Sequence, residues 1–282
     1  RLPGKMMKKM AGKPLIDYTL GRLYSALLNN NKIKGIVLAT STEENNDLLV
    51  EHVEKHWPEV TIVRGAEEDV LSRFMLALNK KPADIFVRVT GDCPFININA
   101  MWRMIEELEK NGADIVNYQP GYEYVDKGLE AVSAKALFRA SHDYELTSLD
   151  KEHVTSIMYR LPNRYQIYYI ESDPILRRGD IRLTVDTEDD LRFMETLLDK
   201  LPSELTKVSI KEIVSIIEEN PELATINYSS GRKSTLHERA RLGFRCDGNT
   251  VIGLGHIVGS IRLAKLLACE LNIGAEFVVR EN

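Results

Sequence analysis

Cysteine is scarce: Cys93, Cys246 and Cys269 are the three in 282 residues. Their separations match neither a disulfide framework nor a metal-ligand pattern, which points to a reducing, cytoplasmic setting, and none sits where a nucleophile is expected. Long apolar runs are missing too. No stretch approaches the roughly 20 residues of a membrane-spanning helix, and the start lacks a leader pattern, so no membrane role is expected. Cations are not in surplus, the formal net charge being -5. That argues against nucleic acid as a partner, because such binders need a basic excess to displace counterions; small anionic substrates stay open. The Gly-x4-Gly-Lys-Ser/Thr spacing of a Walker loop is also absent.

What is present is ordinary globular composition, 44% hydrophobic and 28% charged, with length for one large domain or two smaller ones. The chain opens on Arg1 in a loop-like sequence and reads as a piece of a longer protein. Short β-branched runs at 35–40, 60–63, 83–89, 114–118 and 165–170 alternate with helical patterns at 14–28, 42–56, 70–78 and 99–111. Such alternation predicts an α/β fold with a mainly parallel sheet and right-handed crossovers. Between 119 and 150 the alternation breaks, which predicts an inserted hairpin region. A helix is expected over 150–161, a strand over 180–187, and helices over 187–201 and 209–220.

Ligands of open α/β sheets bind beyond the carboxyl ends of the strands. The run Val87-Arg88-Val89-Thr90-Gly91-Asp92-Cys93-Pro94 stops abruptly at a glycine, an aspartate and a proline. Asp92 is therefore the first candidate metal ligand. Alone, Gly91-Asp92 reads as a turn whose side chain caps nearby amides. A second predicted strand ends at Asp186, with Thr187 placed to cap the following helix. Two carboxylates converging from separate strand ends commonly hold Mg²⁺, which takes its other ligands from phosphate and water. A plain helix cap remains the competing reading of Asp186. In the opening loop, Arg1 and Lys5 flank Pro3-Gly4 and suit a polyphosphate, or simply solvent. His153, at a helix start, is a structural histidine unless a partner is found for it.

Six segments, Arg1-Leu2-Pro3-Gly4-Lys5, Ala11-Gly12-Lys13-Pro14-Leu15, Arg64-Gly65 with Asp69-Val70-Leu71-Ser72-Arg73-Phe74, Val89 to Pro94, Glu152-His153-Val154-Thr155 and Leu183-Thr184-Val185-Asp186-Thr187, stand in an order that resembles the acylneuraminate cytidylyltransferase family, most closely its spore-coat polysaccharide branch. The resemblance implies a Rossmann-like nucleotidyltransferase domain over 1–228 that makes CMP-sugar and pyrophosphate from CTP and a 2-keto sugar acid. It implies Mg²⁺ on Asp92 and Asp186, the triphosphate near Arg1 and Lys5, and Thr90, Gly91, Arg73 and His153 near the substrates. It implies a homodimer through the inserted region, with Tyr118, Tyr122 and Tyr124 either facing the partner or in the core. It also implies a leading strand ahead of Arg1, so the expectation is a domain lacking its first strand, two neighbouring strands short of ladder partners, and weak or absent activity in this piece. Another nucleotide or sugar on the same fold, or a non-catalytic nucleotide-sugar binding module, are the other classes that fit.

After a linker at 229–239, the stretch 240–282 reads as a truncated second βαβ unit: strand, glycine-bearing loop, helix, strand. Asp247-Gly248 and Ile252-Gly253-Leu254-Gly255-His256 resemble the opening of UDP-sugar hydrolases from nonulosonic acid pathways. That resemblance implies a catalytic role for His256, against the plain reading of a helix-capping histidine.

Overall fold

The computed structural model describes residues 2–28, 32–126, 128–202, 205–227, 241–245 and 274–278. The chain divides into two units, Arg1–Ile226 and Asn227–Asn282. In the first, a small ribbon, β1 (Lys9–Met10) against β2 (Lys13–Pro14), leads into α1 (Leu15–Leu28). β3 (Val37–Ser41) and β4 (Thr61–Gly65) form a parallel pair flanking α2 (Asp47–His56). After α3 (Val70–Lys80) comes a second, four-stranded sheet. Its members are β5 (Ile85–Val89), β6 (Ile115–Tyr118), β7 (Leu129–Ser133) and β8 (Ile167–Ile170), in the order β5-β7-β6-β8. β6 and β8 are parallel, while β7 runs antiparallel to both β5 and β6. Among the described residues, β3 pairs with β4 alone and β5 with β7 alone.

The inserted stretch thus enters the sheet, since β6 and β7 are antiparallel neighbours joined by 119–128. α4 (Ile98–Asn111) shows why its sequence is helical: Asn97 caps Ala100 N, Met101, Met104 and Leu108 recur on one buried face, and Gly112 at φ +59° ends it. That face packs on one side of the second sheet, against Val116 and Ala131. The other side carries a row of apolar side chains in register, Phe86, Val132, Ile115 and Ile167. It is covered by α3, α5 (Ala134–Ser141) and α7 (Ser156–Arg160). Burying each such side chain is worth about 1.5–3 kcal/mol.

Two expectations need correction. The helix expected over 150–161 is broken into α6 (Ser148–His153) and α7. Between them Val154 adopts φ +63°, buried in the core, and Thr155 turns its hydroxyl to Glu130 at 2.8 Å, so packing overrides helical continuity. The strand expected at 180–187 is no ladder strand. Its alternation is real, with Ile181, Leu183 and Val185 all buried, but its backbone bonds are isolated ones, Val185 N to Asp92 O at 3.0 Å and Leu2 N to Asp186 O at 2.9 Å. α8 (Glu188–Leu198) follows, then α9 (Ile210–Glu219) and α10 (Glu222–Ile226). α8 and α9 bury Phe193, Met194, Leu197, Ile213 and Val214 around 181–185.

In the second unit β9 (Arg241–Arg245) and β10 (Gly274–Val278) pair in parallel, as a βαβ arrangement requires. The expected linker, the connecting helix and His256 lie outside the described residues.

Candidate active site

The end of β5 is shaped by three neighbours. Cys93 N bonds Thr90 O at 3.2 Å, closing the turn that carries Gly91 and Asp92. From α1, Thr19 Oγ1 donates to Gly91 O at 3.0 Å. From the start of β7, Gly128 O receives Thr90 N at 3.3 Å. Gly128 has φ +98°, and a Cβ there would lie 2.5 Å from Thr90 Oγ1 and 2.9 Å from Cys93 Sγ. Only glycine lets β7 press this closely on the turn.

Asp186 reaches the same place from the far end of the domain. Thr187 accepts Asp190 N, and the Asp190 carboxylate accepts Thr187 N at 2.8 Å, a reciprocal cap that starts α8. The same carboxylate, wholly buried, also accepts Asp186 N at 3.0 Å and Arg182 Nη2 at 2.5 Å. Arg182 Nη2 lies 3.3 Å from Asp186 Oδ2, so one guanidinium orients the carboxylate from behind. Asp186 further sits at the amide-rich, positive end of α8, which suits an anion.

Gly4, at φ +61°, turns the opening loop into a short 3-10 turn, Lys5–Met7. Lys5 thereby sends its ammonium between the two acids, 2.6 Å from Asp92 Oδ2 and 2.8 Å from Asp186 Oδ1. Burial works to lower the Lys5 pKa, but the bonds and charges of Asp186 and Asp92 outweigh it and raise it, so the side chain is a fixed cation. The two carboxylates therefore do share one cleft, and they share it around a positive charge. That ammonium is a stand-in for what the donor set suits: two carboxylates spaced for one cation. Among the described residues no group of three or more acidic, histidine or cysteine side chains gathers for a metal. A hard divalent ion on Asp92 and Asp186 would thus complete its shell with water and phosphate oxygens, as Mg²⁺ does. Burial, then Asp92, push the Cys93 thiol up to about 12, which keeps it protonated and unsuited to attack.

The other expected residues fall at varying distance. Thr90 and Gly91 belong to the Asp92 turn. Arg73 lies on α3 with its stem pressed on Gly65 at the end of β4; its Nε is buried without a hydrogen-bond partner, and burial lowers its pKa despite Glu67 and Asp69 nearby. His153 is exposed at the end of α6. Arg1, like His256, lies outside the described residues. Of the three tyrosines, Tyr118 and Tyr124 are core, stacked at 4.7 Å, and Tyr122 is exposed beneath Arg177.

Two groups escape the sequence reading. Arg182 and Asp190 are one, although a Thr-x-x-Asp spacing after a strand-end aspartate signals the cap. The other is Glu130 on β7, which accepts bonds from Arg88, Asn117, Thr155 and Tyr159. No local pattern announces a carboxylate in an apolar stretch as a hub.

The family described as cytidylyltransferase matches residues 1–223. Spore coat polysaccharide biosynthesis protein SpsF of Bacillus subtilis is 30% identical over 230 residues, covering 80% of this chain and 92% of that protein. A solved cytidylyltransferase from Leptospira borgpetersenii superposes with a TM-score of 0.70 at 21% identity, over 79% of this chain and 91% of that one. A structure of CMP:2-keto-3-deoxy-manno-octonic acid synthetase complexed with CTP superposes with a TM-score of 0.50 at 18% identity, over 71% and 93%.

Proposed function

This chain belongs to the cytidylyltransferase family, and from that premise we propose that it transfers CMP from CTP to a 2-keto sugar acid of the nonulosonic, acylneuraminate-like class, with release of pyrophosphate. SpsF, by its name, serves spore-coat polysaccharide, which supports a role in cell-surface polysaccharide synthesis; the CTP-bound synthetase, by its name, acts on a keto sugar acid. We read Mg²⁺ as the metal, the cytoplasm as the setting, a homodimer as the working form, and the second unit as the opening of a hydrolase-like domain of the same pathway.

One observation carries the proposal: two acids far apart in the sequence converge on a single cation at the carboxyl end of β5. In the reaction, a hydroxyl oxygen of the acceptor bonds to the α-phosphorus of CTP. The bond from that phosphorus to the bridging oxygen breaks, the electron pair leaves with pyrophosphate, and the hydroxyl proton passes to water. Such transfers need positioning and charge neutralisation more than covalent help. When bound, the metal supplies charge for the phosphoryl oxygens. Asp92 and Asp186 would hold it, Arg182 and Asp190 keep Asp186 aimed, and Lys5 with Arg1 would meet the charge of the departing phosphates.

Pyrophosphate release assayed with CTP, UTP, GTP and dTTP against a panel of sugar acids tests this reading. CTP with a keto sugar acid is the expected pair, and Asp92→Asn should lower turnover by about 100-fold or more. Preference for another nucleotide, or an Asp92→Asn protein as fast as the parent, overturns it.

A further inference from the structure

The reaction as described leaves the Glu130 hub unused. On the face of the second sheet that carries Phe86, Val132, Ile115 and Ile167, the next row toward the carboxyl edge is polar. Arg88 is the register partner of Glu130, Asn117 that of Tyr169, and Asn117 Nδ2 reaches Glu130 Oε1 at 3.2 Å. One line of side chains, Arg88, Glu130, Asn117 and Tyr169, therefore crosses all four strands in strand order. The line lies two residues inward of Thr90 and Gly128, whose backbone bond ties β7 to the Asp92 turn.

Glu130 is saturated. Its Oε1 accepts Asn117 and Tyr159, and its Oε2 accepts Thr155 at 2.8 Å and Arg88 Nη1 at 3.2 Å. Burial and the Glu130 charge push the Tyr159 phenol up, so it acts as a donor. Arg88 is the opposite case. Among the described residues its hydrogen bonds engage Nη1 alone, and its side chain keeps 22% of its exposure where that of Glu130 keeps 10%. The guanidinium is gripped on one side and open on the other. A buried ion pair contributes little net stability by itself, so stability does not account for three further donors, Asn117, Thr155 and Tyr159, converging on the carboxylate that holds one arginine. An arginine fork with a free edge matches a planar carboxylate.

We propose that Arg88 receives the carboxylate of the acceptor acid, and that Glu130, with Asn117, Thr155 and Tyr159 behind it, is the positioning residue that aims the guanidinium. The inference rests on the reading that the acceptor is a sugar acid. It makes the polar row the element that distinguishes an acid from a neutral sugar.

The test varies acid and CTP separately in steady-state turnover of the parent, Arg88→Met, Arg88→Lys and Glu130→Gln, with CTP affinity measured by calorimetry and folding checked by thermal denaturation. Arg88→Met should raise KM for the acid about 10- to 100-fold, leave CTP affinity within about twofold, and lose the parent's preference for the acid over its carboxamide. Arg88→Lys should recover part of the loss. Should Arg88→Met unfold because Glu130 loses a donor, the pair Arg88→Met with Glu130→Gln removes that charge and is read the same way. A folded variant that keeps its KM for the acid, weakens CTP equally, or still prefers acid to carboxamide overturns the inference while the cytidylyltransferase reading stands. A parent enzyme that accepts only neutral sugars overturns the inference and the acid acceptor together, and one that releases pyrophosphate from another nucleoside triphosphate but not from CTP overturns both readings.

Discussion

Replacing Lys5 by methionine removes the ammonium and keeps most of the side-chain volume. The carboxylates that share it at 2.6 and 2.8 Å are then left roughly 4–5 Å apart, where two unit charges repel by about 4 kcal/mol at an effective dielectric of 20. Asp186 is 41% exposed, so water screens the pair, and the expected destabilisation falls to about 1–2 kcal/mol. For a domain of this size that lowers the melting temperature by roughly 2–8 °C in a chelator. Divalent cation should reverse the loss, because without the ammonium the two acids become a better metal site. At a hundredfold excess over its dissociation constant the ion would return about 2.7 kcal/mol. The assay is thermal denaturation of both proteins in EDTA and across a MgCl₂ or MnCl₂ series, with metal binding followed separately by Mn²⁺ paramagnetic resonance. The variant should bind Mn²⁺ without nucleotide more tightly than the parent, yet turn over CTP poorly for want of a charge on the leaving phosphates. A variant as stable as the parent in EDTA, and no more responsive to metal, would refute the idea that this ammonium occupies a cation site.

Two further expectations concern the close approach of Gly128 to the Asp92 turn and the carboxylate in α6. Gly128→Ala places a Cβ against Thr90 and Cys93 at a positive φ, and should cost about 2–4 kcal/mol in chemical denaturation together with much of the turnover, whereas a near-neutral result would mean the turn yields easily. Burial alone would raise the Asp150 carboxyl, but bonds from Arg160, Ser156 and Thr147 outweigh it and hold the pKa at about 2, against an ordinary 3.8. Because the folded value is depressed, the resulting stability, about 2 kcal/mol, is full above pH 3.8 and lost as pH falls toward 2. Asp150→Asn should flatten that acid slope in urea titrations, and parallel curves for the two proteins would contradict it.

The division between what the sequence reveals and what it hides has physical causes. Helices such as α4 and α8 were legible because a cap residue, a 3.6-residue apolar period and a stop signal coincide there. Asp92 and Asp186 were legible because each ends an apolar run. The helix break at Val154 was not, since nothing local disfavours helix and the cause is Thr155 reaching a carboxylate 25 residues upstream. The stretch before Asp186 misled for a related reason. Alternation reports which face is buried, and Ile181, Leu183 and Val185 are buried indeed, but it says nothing of whether a neighbouring strand stands beside the backbone. Lys5 between the acids required the tertiary fold, which brings residues 5, 92 and 186 together.

The line of polar side chains across the second sheet has one more consequence, for assembly of the chain. Side chains alternate faces along a strand, so sliding β7 by a single position would thrust Glu130 among the methionines of α4 and deliver Leu129 or Ala131 to Arg88, stranding both charges at once. Mispairing of this strand is thus penalised by the same carboxylate that holds the arginine. A strand supplied by an insertion, with few neighbours in sequence to guide it, carries its own proofreading mark.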